Sequence, residues 1–393
     1  MAQQSRRNLQ LDLFFDQAAL KQAIFIPMKA IRKYADFIAL GLLVIGANLF
    51  VSSPMLVETF YTRVFYSFIS SSSRAFLGWI PFSIGDIVYI FIILFLLSRL
   101  IRFFRRKSPG QPQWPIIKHR ILKVILAIVW VWLIFQSLWG FNYYRENLGV
   151  QFDLADKAPT PMDLNRLATY FLEETNAFAE GRSTLKFNKE KELKVLSQAY
   201  DSMARQYSFL AYSNPSFKTS LFGVLGNYMG VGGYYNPFSG EAQVNDRLPV
   251  FLLPFTSAHE VAHQLGYAKE SDANFIGYLA SIHSTDSSLK YSANLEMFLY
   301  TNAALKKYDS VSSKKLYDSL GSIARYDLKV YKSYIQKYQG PIDEFTTRFY
   351  TQFLHLNNQP EGMQSYSRVV YWLFNYWDKN KLGNREEAID KGK

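Results

Sequence analysis

Three long apolar runs constrain this 393-residue chain more than any other feature of its sequence. Residues 37–57 carry no charge, residues 78–98 carry only Asp86, and residues 124–143 are rich in Ile, Val and Trp. Each run has about the 20 residues that a helix needs to cross the hydrocarbon core of a bilayer. The sequence therefore predicts three transmembrane helices. The first run begins too far from Met1, and lacks a small-residue cleavage site, to be a removable signal peptide.

Asp86 has two interpretations. An ionisable residue inside a membrane often marks a functional path through it. Pro81, Ser83 and Gly85 precede Asp86, however, and this favours a position near the outer interface, where the helix begins.

The basic residues orient these helices. Residues 1–36 contain six Lys or Arg, and residues 99–123 contain eight without an acidic residue. The loop predicted between the first two spans, at 58–77, has only Arg63 and Arg74 as basic residues. By the positive-inside rule, the two richly basic segments are cytoplasmic. We therefore predict a multi-pass protein of a bacterial cytoplasmic (inner) membrane. From the N-terminus, the predicted parts are a cytoplasmic segment at 1–36, three transmembrane helices at 37–144 with a basic loop at 99–123, and an extracytoplasmic (periplasmic) domain at 145–393.

The charge and cysteine content exclude several classes of function. Residues 1–144 have 16 basic and 5 acidic residues, and residues 145–393 have 28 and 27. Of the net charge of +12, +11 thus belongs to residues 1–144, and it indicates topology rather than a nucleic-acid partner. The absence of cysteine excludes disulfides, thiolate zinc ligands and a cysteine nucleophile.

A metal-hydrolase motif lies in the predicted outer domain, at His259-Glu260-Val261-Ala262-His263. On a helix, residues four apart lie on one face, so both imidazoles can bind one Zn²⁺. Glu260 between them would act as the general base on a water molecule. Pro254 ends the preceding segment, Thr256 or Ser257 is a candidate helix cap, and Gly266 is a candidate helix end.

The third zinc ligand is predicted from the segment that follows. Glu270-Ser271-Asp272-Ala273-Asn274 has the acidic residues typical of the first turn of a helix, and Glu270 is the preferred ligand. Asp272 is the alternative ligand, or a partner that orients a ligand His. His283 and His355 are further conceivable ligands. A third His in the H-E-x-x-H-x-x-G-x-x-H pattern is excluded, because Lys269 occupies its position.

The sequence also allows two interpretations of this motif that need no metal. Ser257-x-x-Glu260 is also a formal capping box, in which Glu260 only stabilises the start of a helix. The two His residues could equally form an ordinary polar helix face.

The segment after His263 resembles known peptidases. Glu270-x-x-Ala273-Asn274 is similar to the E-x-x-A-[DN] element of gluzincin zinc peptidases, in which the Glu binds the metal. The block from Asn236 to Asn245, with Pro254-Phe255-Thr256 and the H-E-x-x-H helix, resembles a bacterial membrane-anchored family of unknown function whose members are predicted zinc peptidases. The gap of seven residues between His263 and Glu270 is shorter than in most gluzincins.

The predicted fold is a membrane-anchored α+β protein. Three N-terminal transmembrane helices precede a mainly helical, zincin-like domain with a small sheet within residues 221–252. A strand at residues 241–245 is expected at the edge of this sheet, where zinc peptidases commonly pair with an extended substrate backbone.

The resulting hypothesis is a membrane-anchored zinc metallopeptidase that acts on a peptide or protein of the cell envelope. Tyr366, Tyr267 and Arg368 are candidate donors to the oxyanion, and the sequence does not choose among them. The lipid bilayer is the other expected partner, and no nucleic acid is expected. The alternative is a catalytically inactive, zinc-stabilised membrane receptor or envelope assembly protein. A transporter is disfavoured, because three helices offer little room for a substrate path.

Overall fold

The computed structural model describes residues 28–105, 114–184, 186–359 and 368–390. It is 75% helical and contains one three-stranded sheet within these residues. The chain divides into two compact units, Met1–Ser53 and Pro54–Lys393. The first unit contributes a single described helix, and the second contains all the other described elements.

The elements of the membrane part are mostly long helices. They are α1 (Met28–Val51), α2 (Pro54–Leu56), a π-helix (Val57–Tyr66), α3 (Ser67–Leu77), α4 (Ile84–Arg105), α5 (Trp114–Leu138) and a 3-10 turn (Gly140–Tyr144).

The elements of the outer part alternate between helices and three short strands. They are α6 (Leu148–Phe152), α7 (Pro161–Phe178), α8 (Lys189–Ala204), β1 (Phe217–Thr219), α9 (Gly223–Met229), β2 (Gly233–Asn236), β3 (Glu241–Val244), α10 (Leu253–Gln264), α11 (Glu270–Ile282), α12 (Ser287–Lys306), α13 (Ser310–Asp318), α14 (Ser322–Tyr338), α15 (Pro341–Leu356) and α16 (Val369–Asp390), with 3-10 turns at Ala179–Gly181, Ser208–Leu210 and Val250–Leu252.

Two helices are long and apolar enough to cross a bilayer, over Ile84–Arg102 and Arg120–Leu138. A third span exists only if the helical stretches Phe37–Val51 and Pro54–Leu77 act together. The chain is therefore a membrane protein with two or three candidate spans, and the expected count of three is not established. The predicted run 37–57 is interrupted because Pro54 disfavours helical backbone in the residue before it.

The segment 58–77, expected as a loop between two spans, is helical. Its π-helix buries Val57, Tyr61, Thr62 and Tyr66 on one side. Hydrogen bonds in a π-helix join residues five apart, so side chains four or five positions apart face the same way. Val57, Tyr61, Thr62 and Tyr66 follow this spacing, so the π-helix presents one continuous buried face.

Helix α11 forms the centre of the outer domain. Every residue from Glu270 to Ser281 is buried, and the helix packs against α10, α8, α12 and α16. Gly277 permits the close approach of α10, because a Cβ atom there would lie 3.2 Å from the backbone nitrogen of His259. The metal-binding motif and the predicted third ligand thus lie on two helices that are in direct contact.

The sheet has the strand order β1-β3-β2. Strand β1 is parallel to β3, with Phe217 beside Ala242, and β2 is antiparallel to β3, with Tyr235 beside Ala242. The expectation that residues 241–245 form the edge strand is wrong, because β3 is central and all four of its residues are buried. The edge strands are β1 and β2. The region 221–252 also contains helix α9, which the sequence did not indicate.

Two acidic residues join the outer domain to the first turn of α4: Glu241 of the domain and Asp86 of the helix itself. Glu241 accepts hydrogen bonds from the backbone nitrogens of Ile84 (3.1 Å) and Gly85 (2.7 Å), where a negative charge is favoured by the helix dipole. Asp86 is buried and accepts from the backbone nitrogen of Leu221 at 2.7 Å and from the hydroxyl of Tyr234. Asp86 therefore lies at the beginning of the span, as the interfacial interpretation predicts.

Candidate metal centre

Helix α10 carries the motif and is longer than predicted. It begins at Leu253 with Pro254 in its first turn, and no side chain caps it. Thr256 donates to the carbonyl of Leu252 and Ser257 is buried within the helix, so the predicted cap at either residue is wrong. Glu260 is seven residues from the helix start, which excludes the capping-box interpretation.

Gly266 ends α10 as predicted. It adopts φ +88°, a left-handed conformation that glycine tolerates and other residues do not. Its backbone nitrogen donates to the carbonyl of His263 and that of Tyr267 donates to the carbonyl of Ala262. A Cβ atom at Gly266 would lie 3.0 Å from the ring of Tyr66. This glycine thus permits both the chain reversal and the close packing of the π-helix.

His259, His263 and Glu270 converge on one point. Their ligand atoms all lie within 4.8 Å of one another, the only such group of three among the described residues. The Nε2 atoms of His259 and His263 lie 3.2 and 3.7 Å from the carboxylate oxygens of Glu270. Ligands placed about 2.1 Å from a zinc ion in a tetrahedral arrangement are about 3.4 Å apart. The three side chains therefore fit Zn²⁺ in both chemistry and spacing.

Each ligand histidine is oriented by an acceptor at its other nitrogen. The Nδ1 atom of His259 lies 2.8 Å from Oδ1 of Asn274, and that of His263 lies 2.6 Å from the carbonyl oxygen of Tyr267. Acceptors at both Nδ1 atoms hold a hydrogen there, so Nε2 is the nitrogen that would lose its proton and bind a metal. This arrangement is typical of histidines that bind a metal.

The alternative ligands lie elsewhere. Asp272 is buried, but its carboxylate accepts from Trp372 Nε1 at 3.1 Å and is outside the cluster. The role of orienting a ligand histidine, considered for Asp272, belongs to Asn274. His283 contacts the carbonyl of Leu279 and Gln206, and His355 is exposed on α15.

Glu260 lies in a buried position beside the cluster. Its side chain is close to Gly233 of β2, where a Cβ atom would lie 2.5 Å from Oε1. Its Oε2 has no hydrogen-bond partner among the described residues. Burial raises the pKa of Glu260 to about 7, although the neighbouring histidines oppose this shift. A carboxylate with a pKa near neutrality is suited to accept and return a proton.

The electrostatics of the ligands reflect their proximity. Burial would raise the pKa of Glu270, but the charges and hydrogen bonds of His263 and His259 outweigh it and hold this pKa well below its usual range. Burial would likewise lower the pKa of His263, but Glu270 dominates and raises it to about 9. Glu270 is therefore an anion at neutral pH, as a zinc ligand must be.

Two tyrosines near Glu270 were not singled out from the sequence. Tyr350, on α15, donates a hydrogen bond to Oε1 of Glu270. Tyr300, on α12, is hydrogen-bonded to Glu296, whose carboxyl is close enough to His259 to be influenced by its charge. The only sequence signal for Tyr350 is its position within residues 342–357, whose apolar spacing is typical of an amphipathic helix.

Two of the predicted oxyanion donors, Tyr267 and Arg368, make contacts outside the cluster. Tyr267 is buried, its hydroxyl donates to Gln151 at 3.0 Å, and its ring lies against the guanidinium of Arg145 at 4.1 Å. Arg368 is exposed over the ring of Trp372. Tyr366 lies outside the described residues. Tyr350 is better placed than Tyr267 and Arg368, because its hydroxyl contacts a carboxylate oxygen of the cluster.

The membrane part supports the metal centre directly. The carbonyl oxygen of Gln264, at the end of α10, accepts hydrogen bonds from Tyr66 (3.0 Å), Ser70 (2.9 Å) and Arg74 (3.4 Å). Trp139, which follows the last residue of α5, packs edge-on against the imidazole of His263 with ring centres 6.1 Å apart. The cluster thus lies immediately above the ends of the membrane helices.

Comparison with known proteins places the chain in a family without assigning an activity. Residues 61–374 match the model of the family described as "Protein of unknown function (DUF3810)". The chain belongs to this family. No curated protein and no solved structure matches the chain. The matched range includes the metal cluster, Tyr350 and both candidate spans, but the family description names no reaction, and the resemblance to gluzincins stays a prediction.

Proposed function

We propose that the protein is a membrane-anchored zinc metallopeptidase. The observation that carries the proposal is the convergence of His259, His263 and Glu270, each histidine held by an acceptor at Nδ1, beside the buried carboxylate of Glu260. A purely structural zinc site needs no such base. The buried Glu260 with a raised pKa is therefore the feature that favours catalysis.

Each residue of the site has a separate role in the proposed hydrolysis of a peptide bond. Zinc, held by His259, His263 and Glu270, would supply a Lewis acid that polarises a carbonyl and lowers the pKa of water. Glu260 accepts the proton of the attacking water and returns it to the leaving amine. Tyr350 is the proposed donor to the oxyanion.

Strand β2 is the proposed binding edge for the substrate backbone. It is the edge strand nearest the site, since Gly233 lies against the carboxylate of Glu260. An extended peptide that pairs with β2 would place a carbonyl group near the metal cluster. The absence of a side chain at Gly233 leaves room for Glu260, and a larger residue there would displace the base.

The topology supports a domain outside the cytoplasm. Both α4 at Ile84 and α5 at Leu138 meet the outer domain, so the connection between them lies at the other end of the two helices. Residues 99–123, which include this connection, have eight basic and no acidic residues. The positive-inside rule assigns that end to the cytoplasm, and the metal centre to the opposite side of a bacterial cytoplasmic membrane.

The test is a comparison of the full-length chain with its Glu260→Gln variant in lipid nanodiscs. Zinc content is measured by elemental mass spectrometry, and cleavage is measured on a mixed peptide library. We expect about one zinc per chain in both proteins, and cleavage by the wild type only. Glu190→Gln, at an exposed position, is the matched control and should cleave normally.

Two results would contradict the proposal. A folded wild-type chain without zinc would exclude the metal site. Zinc without any cleavage would favour the alternative function, a zinc-stabilised receptor or envelope assembly protein.

A further inference from the structure

Helix α15 exposes an apolar stripe that the metal centre does not explain. Ile342, Phe345, Phe349 and Leu356 follow the three- and four-residue spacing that puts side chains on one face of a helix. Phe345 is 71% exposed and Phe349 is 65% exposed. Large aromatic side chains clustered on one exposed face are unusual for a water-facing surface and mark an interaction site.

The neighbouring face of the same helix belongs to the core and the candidate metal centre. Leu354 is fully buried, Phe353 packs against Tyr143, and Tyr350 donates to Glu270. The exposed stripe is therefore not a part of the core that has been left uncovered, since α15 already has a buried face.

Helix α9 extends the apolar surface. Leu221, Val224 and Leu225, in and just before this helix, are 49–61% exposed. The end of α9 contacts the start of α15, because a Cβ atom at Gly230 would lie 2.6 Å from Oδ1 of Asp343. We call the combined surface the apolar rim. It consists of Leu221, Val224, Leu225, Ile342, Phe345 and Phe349.

The apolar rim is joined to both membrane helices. The backbone nitrogen of Leu221 donates to Asp86, in the first turn of α4, at 2.7 Å. The ring of Phe353 on α15 packs edge-on against Phe135, in the last turn of α5, with centres 6.1 Å apart. The rim therefore begins where the lipid-facing surface of the two spans ends. This continuity favours the bilayer, rather than a soluble protein, as the partner that covers the rim.

We propose that the apolar rim lies in the lipid headgroup layer on the domain side of the membrane. Helices with an apolar stripe and polar flanks bind in this layer with the stripe towards the acyl chains. Because Tyr350 on the buried side of α15 contacts Glu270, the candidate metal centre then lies close to the membrane surface. Its substrates are polypeptide segments held at the bilayer by a membrane anchor, a consequence that rests on the proposed function.

The test uses the absence of cysteine in the chain, which allows one fluorophore to be attached at one introduced cysteine. The full chain carrying Phe349→Cys is labelled and placed in nanodiscs that contain lipids with a nitroxide quencher on the acyl chain. Val311→Cys is the control, since Val311 is 79% exposed on α13, which packs against α7 and α12. Phe345→Cys provides a second rim position if the first variant folds poorly.

We expect the lipid quencher to reduce the fluorescence of the label at position 349 at least twofold more than at position 311. Iodide in the buffer should show the opposite order. A label at 349 that iodide quenches as well as it does at 311 would place the rim in water and overturn the proposal. A label that neither agent reaches would show that protein, such as a second copy of the chain, covers the rim, and this also overturns it.

The substrate class is tested separately. A peptide that the wild type cleaves is presented free in solution or with an N-terminal palmitoyl chain inserted in the nanodisc. Phe349→Asp should reduce cleavage of the anchored peptide at least fivefold more than cleavage of the free one. Equal effects on both would refute the substrate class. Absence of cleavage in the wild type would refute the peptidase function, whereas the quenching result would still decide the position of the rim.

Discussion

The replacement Asn274→Ala should weaken zinc binding while the fold persists. Asn274 is 3% exposed, and its Oδ1 accepts from Nδ1 of His259 at 2.8 Å. The change leaves the Nδ1–H group without an acceptor and removes the contact that fixes the orientation of the ring. Loss of such a partner typically weakens metal binding about 10- to 100-fold.

The free-energy cost of leaving the Nδ1–H group of His259 unpaired predicts a similar loss of zinc affinity. A buried donor without a partner costs about 1–3 kcal/mol, and a tenfold change in Kd corresponds to about 1.4 kcal/mol. If the whole cost appears in the zinc-bound state, Kd rises about 5- to 150-fold. The two ranges overlap, so we expect a rise of about one to two orders of magnitude.

The assay is a zinc competition with a chromophoric chelator on the purified full-length chain, followed by a thermal melt of each protein. Asn274→Asp retains an acceptor and should bind zinc nearly as well as the wild type. Asn302→Ala, at another buried asparagine on α12, controls for general loosening of the domain. Unchanged zinc affinity in a folded Asn274→Ala chain would refute the role assigned to this residue, and so would an equal loss in Asn302→Ala.

Two further predictions concern stability. Gly266→Ala forces a side chain into φ +88° and within 3.0 Å of Tyr66, and should destabilise the chain by about 1–2 kcal/mol. The control is Gly340→Ala, because a Cβ atom there would have no other residue within 4 Å apart from its chain neighbours. Thermal melts compare the two variants, and equal melting temperatures would contradict the reasoning. In the metal-free chain, burial raises the pKa of Glu260 from 4.5 to about 7, so the folded state binds this proton more tightly than the unfolded state. The free energy of unfolding, relative to that of Glu260→Gln, should therefore be greatest below pH 4.5 and fall as the pH rises through about 7. Thermal melts in which the two proteins keep a constant difference in melting temperature across this range would argue against the raised pKa.

The local features of the cluster of His259, His263 and Glu270 could be predicted from the sequence because they depend on neighbours along the chain. The spacing of His259 and His263 requires only one helical turn. Gly266 ends the helix because its own backbone adopts a left-handed conformation. Glu270 lies in the first turn of the next helix, where an acidic residue is favoured. The amino-acid sequence therefore predicts the cluster in which these three ligand side chains meet.

Most of the wrong predictions of secondary structure concern segments whose structure depends on contacts with distant parts of the chain. The segment 58–77 was expected to be a loop because it lies between two apolar runs, yet it is helical, and its Tyr66, Ser70 and Arg74 bind the end of α10. Residues 241–245 alternate like an edge strand, but β1, from more than 20 residues earlier, covers the side that was expected to be free. The cap predicted at Thr256 or Ser257 was wrong because the helix begins earlier, at Leu253.

The sequence by itself determined the apolar runs, the asymmetry of basic charge and the ligand types at their spacing, all of which are properties of short segments. Only the tertiary structure decided that Asn274 orients His259, that Tyr350 contacts Glu270, and that Asp86 binds Leu221. The last two pairs are 80 and 135 residues apart in the chain. Such pairs form because packing of the core removes polar groups from water, and each buried group then requires whichever partner the fold brings to it.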